Sequence, residues 1–108
     1  MLCTGELGCV LHRHIHAGGL TRAQAARLRR MYEDDVHAGV WTLLPITLGV
    51  LDEVARRVAA LHVSVCIRPA DAIHLTTAAE AGFGDVWTSD RHMLAAARAF
   101  GLVGRSAP

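Results

Sequence analysis

The sequence predicts an α/β fold, and three observations carry that reading. Stretches of helical apolar period alternate with short β-branched and aromatic runs. Gly, Pro and capping residues stand at the breaks between them. The composition, 52% hydrophobic and 19% charged, suits a packed core and not a disordered chain. Residues 1–108 read as a single domain with a short parallel sheet, because strands alternating with helices join in parallel.

Thr4 to His16 reads as a first helix, stopped by Gly18-Gly19. Thr21-Arg-Ala-Gln24 is a capping box, with Thr21 as N-cap and Gln24 reaching back. The helix it opens runs toward Ala38 and presents Ala25, Leu28, Tyr32 and Val36 on one face. Val40 to Leu44 is expected to be a short strand closed by Pro45. Thr47 would cap a third helix to Leu61, with Leu51, Val54, Ala55 and Val58 as its core stripe. On its outer face Asp52–Arg56 and Glu53–Arg57 are i,i+4 pairs. Val63 to Ile67 reads equally as strand or buried loop. Pro69 fits the first position of a helix ending near Gly82. A strand at Asp85 to Thr88, a helix at Arg91 to Phe100 and a last short strand at Leu102-Val103 complete the chain.

Several function classes are opposed by the composition. A formal net charge of +1 leaves only local patches for nucleic acid. Cys3, Cys9 and Cys66 form no C-x-x-C and are odd in number, so reduced thiols and a cytoplasmic location are expected. The longest apolar stretch, Val40 to Leu51, is too short and interrupted to cross a bilayer, and no signal peptide is visible. No strained nucleophile turn and no Gly-rich phosphate loop is present.

The residues with chemical promise are acidic. Asp71, in Asp71-Ala-Ile-His-Leu75 after Pro69, falls in the opening turn of an apolar helix. Asp90 stands where the Val86-Trp-Thr-Ser run stops, at the carboxyl end of a strand, where α/β folds collect ligands. Each has an ordinary alternative: Asp71 as a dipole-stabilising residue, Ser89 or Asp90 as the cap of the next helix. Glu6 by itself reads as a solvated helix residue. His12 and His16 share a helix face at ligand spacing, but no cysteine or carboxylate nearby completes a zinc set. His74 is better read as a packed histidine than as a general acid.

The stretch from Arg68 to Gly101, with its Asp71-Ala-Ile-His-Leu75 and Thr88-Ser-Asp90 motifs, resembles the C-terminal half of a PIN domain. It is most similar to the VapC-type toxins of bacterial type II toxin–antitoxin pairs. Glu6-Leu-Gly-Cys-Val-Leu-His-Arg13 and the following Ala17-Gly-Gly-Leu-Thr21 resemble that family's early E-x-x-x-A-L-x-R helix and its turn. The resemblance implies a PIN-like, Rossmann-like three-layer fold and a metal-dependent endoribonuclease. It implies Glu6, Asp71 and Asp90 as Mg²⁺ or Mn²⁺ ligands or water-positioning carboxylates, with Thr88 or Ser89 donating to Asp90 or to the metal water. Arg13, Arg68, Arg91 and His92 would be the RNA contacts.

The family pattern also places a strand with an aspartate ahead of the Glu6 helix, whereas the residues before Glu6 hold no acidic residue. Either the start lies further upstream and supplies that strand and its aspartate, or this is an N-terminally truncated PIN-like domain with three carboxylates. The implied partners are RNA, a cognate antitoxin docking around Leu20 to Trp41, and a second copy of the chain. The alternative is a catalytically impaired remnant that binds a partner without cutting RNA. A DNA-recognition helix over Arg22 to Arg30 is opposed by Glu33, Asp34 and Asp35, which follow at once.

Overall fold

The structure, a computed structural model, describes residues 2–106, and side chains from residue 3 on. It is a helix-rich α/β chain with two compact units, one ending at Pro45 and the other starting at Ile46. The elements in order are α1 (Leu2–His16), α2 (Arg22–His37), α3 (Leu48–Ala59), α4 (Pro69–Glu80), β1 (Asp85–Trp87), α5 (Arg91–Ala97), a 3-10 turn (Arg98–Phe100) and β2 (Val103–Arg105).

The first unit is a helical hairpin. Thr21 Oγ1 accepts from the Gln24 backbone N–H at 3.1 Å, and Gln24 Oε1 accepts from the Thr21 N–H at 2.9 Å, so the capping box forms. Tyr32 on α2 reaches α1, its hydroxyl 3.0 Å from Thr4 Oγ1. Leu11 and Ala25 are buried. The strand expected at Val40 to Leu44 does not form. Gly39 takes a φ of +79°, and the Gly39 and Val40 N–H groups turn back onto the carbonyls of Val36 and Asp35. That closure of α2 uses the Val40 donor a ladder would need, and Val40 and Trp41 remain exposed.

The second unit has its core between α4, α5 and the strands. Ala72, Leu75, Ala96, Ala97, Phe100 and Leu102 are buried together, with Val54, Val65, Ile67, Val86 and Met93 packed around them. β1 and β2 pair in parallel, with Asp85 opposite Val103 and Trp87 opposite Arg105. α5 and the 3-10 turn supply the crossover. The expected last strand lies one residue later, because Leu102 enters the core and Val103–Arg105 make the ladder. The expected Arg91 to Phe100 helix tightens to 3-10 geometry after Ala97. A Cβ on Gly104 would sit 3.1 Å from both the Leu94 carbonyl oxygen and its Cδ2, so glycine lets β2 press onto α5.

Two further expectations change. Of the stripe Leu51, Val54, Ala55 and Val58, the half-buried Val54 packs on the core while the other three stay exposed; no α3 residue is fully buried, and Leu51 is 42% exposed. The stripe meets α4 across a cavity of about 340 Å³, which Ile67, Pro69 and Ala72 also line. Arg56 pairs with Glu53 at 2.7 Å, not with Asp52. Glu53 holds Arg56 and Arg57 with its two oxygens, while Arg57 continues to Glu80 on α4 at 3.0 Å. The segment left open at Val63 to Ile67 is a turn and loop: Val63 is 97% exposed, and Val65 and Ile67 point to the core. Among the described residues no helix is long and apolar enough to cross a membrane, and all three cysteines are free thiols.

Candidate functional site

The site forms where the starts of α4 and α5 meet. Arg68 is the N-cap of α4, extended at φ −100° and ψ 155° as a residue before proline must be, and Pro69 follows at the first helical position. This entry puts Asp71 in the first turn, 8% exposed. A carboxylate that buried is costly without a cationic or hydrogen-bonding partner. The partner is Arg68, whose Nε donates to Asp71 Oδ2 at 2.8 Å.

Asp90 arrives from the other side. β1 ends at Trp87, and the Thr88 hydroxyl oxygen accepts from the Asp90 backbone N–H at 3.1 Å. Thr88 thus holds the turn that carries Asp90 by accepting from its main chain. Asp90 is the N-cap of α5: Oδ1 accepts from the N–H groups of His92 at 2.8 Å and Met93 at 3.2 Å. The ordinary capping role is therefore real. Its second oxygen, Oδ2, accepts from Arg68 Nη2.

One guanidinium edge, Nε–H with Nη2–H, therefore gathers two carboxylates that lie far apart in sequence. Electrostatics follow this geometry. The Arg68 hydrogen bond holds the Asp90 carboxyl below the usual carboxylate range, helped by the Met93 and His92 N–H groups. The hydrogen bonds to Asp71 and then Asp90 raise Arg68 above its already high value.

A pH dependence follows. Asp90→Asn keeps a competent cap but removes the anion. Because the folded carboxyl is depressed, its stabilisation is complete above the ordinary value of 3.8 and fades as pH falls below it toward the folded value. Wild type should thus be more stable than Asp90→Asn at pH 7, with the gap closing below pH 3.8. Urea unfolding at several pH values measures this, and a gap independent of pH would remove the Arg68–Asp90 pair as its cause.

The other expected residues distribute as follows. Glu6 is half-buried on α1, in the first unit, as is the exposed Arg13. Ser89, Arg91 and His92 are exposed around the start of α5. His92 also lines a cavity of about 330 Å³ with Ser64 and Cys66. Among the described residues no cluster of three or more His, Cys, Asp and Glu side chains has the arrangement to hold a metal, His12, His14 and His16 included. The role sequence reasoning missed is that of Arg68 as a carboxylate bridge. Its Asp71 half had a signal, the i,i+3 spacing within Arg68-Pro-Ala-Asp71; its Asp90 half had none. Comparison of the chain with family models, curated proteins and solved structures finds no match.

Proposed function

We propose that this chain is a Mg²⁺-dependent endoribonuclease of the VapC toxin type, with a PIN-like fold, acting in the cytoplasm and restrained by an antitoxin. The observation that carries the reading is the convergence of Asp71 and Asp90 on one cation, Arg68. The donor set fits the metal: Mg²⁺ is commonly held by one or two carboxylates, with waters and substrate phosphate completing its shell. Asp71 and Asp90 would hold it. When bound, Mg²⁺ lowers the pKa of a water and offsets charge on the phosphate.

The protein's own contributions are positional. The α4 entry turn places Asp71, and the Thr88–Asp90 bond holds the turn that carries Asp90. Arg91 and His92, exposed beside Asp90, would meet the RNA backbone, with Arg13 a further contact by resemblance. With a net charge of only +1, binding rests on such local contacts and weakens with salt. Exposed Leu28, Met31, Val40 and Trp41 offer apolar surface over the stretch where an antitoxin, or a second copy of the chain, would dock.

One observation favours a second reading. Arg68 already neutralises much of the carboxylate pair, as expected of a remnant that binds its partner without cutting RNA. Incubating the protein with RNA in Mg²⁺ and in EDTA tests the choice. Cleavage in Mg²⁺ alone supports the nuclease; no cleavage in Mg²⁺, or cleavage indifferent to EDTA, overturns it.

A further inference from the structure

The oxygens of the carboxylate pair are unequally committed. Asp90 Oδ1 is engaged by two α5 N–H groups, so Oδ2 is the oxygen it offers to a cation. Arg68 Nη2 already engages that oxygen, and Arg68 Nε engages Asp71 Oδ2. A divalent ion that takes these two Oδ2 atoms would therefore enter where the guanidinium sits, and two cations at contact distance on the same oxygens repel.

Arg68 can leave without moving the backbone. Its side chain is 55% exposed, and the residue also borders the apolar cavity between α3 and α4, beside Ile67 and Ala72. The charged head can turn to solvent while the methylene stem stays against that wall. The charges also favour an exchange. With Arg68 in place, two carboxylates face one positive charge; with a divalent ion in its place they are neutralised, and the released guanidinium is a free donor for a phosphodiester.

We propose that Arg68 is the built-in counter-cation of the Asp71–Asp90 pair, displaced by the divalent ion and thereby released to bind RNA phosphate. This rests on the metal-dependent reading above and adds to it an order of events: metal entry first, phosphate capture by Arg68 second. It also gives Arg68 two opposed effects, against metal binding and in favour of RNA binding.

Calorimetric titration of Mn²⁺ into the full chain reads the first effect. Arg68→Ala should bind Mn²⁺ at least about tenfold more tightly than wild type, because it removes a cation that competes for the same oxygens. Arg68→Gln, which keeps a donor and most of the stem, should show the same direction and guards against a misfolded alanine variant. Adding Asp90→Asn should cancel the gain. Wild-type uptake with no tighter binding by either variant overturns the role of Arg68 and leaves the metal site standing. No uptake by any of them overturns the metal-dependent reading, and this proposal with it. RNA affinity reads the second effect: Arg68→Gln should weaken it in Mn²⁺ and leave it little changed in EDTA. An equal loss in both overturns the exchange.

Discussion

Asp71→Asn is expected to lower Mg²⁺-dependent RNA cleavage by at least about 100-fold while the chain remains folded. The substitution keeps the size of the side chain and one acceptor oxygen, and it replaces the other oxygen and the negative charge with a neutral NH2 donor. Hard divalent ions select charged oxygen, so the loss falls on metal binding and on the water that the metal activates. Even outer hydrogen-bond partners of metal ligands cost roughly 10–100-fold when removed, which puts a direct ligand at or beyond the upper end. Asp90→Asn should lose a similar amount, and it retains its capping of α5 because asparagine is a good N-cap. Groups that act as a unit are not additive, so the double variant should lose little more than either single one. Single-turnover cleavage measures all three. Asp71→Asn cutting as fast as wild type would take Asp71 out of the reaction.

Leu75→Ala is the largest expected stability effect. Leu75 is fully buried on the inward face of α4, among Ala72, Ala96, Ala97, Phe100 and Leu102. Its neighbours include three alanines, which have no long side chains to swing into the space. Truncating a buried leucine costs about 2–5 kcal/mol, and a site that cannot collapse lies in the upper part of that range. Small domains hold about 5–15 kcal/mol in total, so much of the reserve would go. The same helix carries Asp71, so a loosened α4 should also weaken the pairing at Arg68. Urea unfolding measures the cost, and a loss below about 1 kcal/mol would mean that α4 does not face the core as described.

Local signals were legible because their causes are local. The Thr21–Gln24 capping box, the Thr47 cap and Pro69 at the head of α4 each involve atoms within one helical turn, and all form. Asp90 as the α5 cap belongs with them. Val40 to Leu44 misled because its β-branched and aromatic composition suits a strand, whereas the Gly39 closure took its first N–H. The α3 stripe is covered only in part, Val54 on the core and Leu51 and Val58 exposed, because a 3.6-residue period reports an apolar face and not what covers it. Arg56 takes Glu53 and not Asp52 because i,i+3 and i,i+4 spacings both reach, and Glu53 Oε2 is open while Oε1 holds Arg57.

The candidate site divides along the same line. Residue types and spacings alone determined the alternation of helices with short strands, the placing of Asp71 in an opening turn, and that of Asp90 at a strand's end. Those depend on backbone geometry over a few residues. Only the tertiary structure decided that the two carboxylates converge and that Arg68 lies between them. The physical reason is that a guanidinium's partners are set by which helix ends the core brings within reach of its long, half-exposed stem. Leu75, Ala96 and Phe100 set that distance by gathering α4, α5 and the 3-10 turn onto one core, and nothing in the spacing of charged residues encodes it.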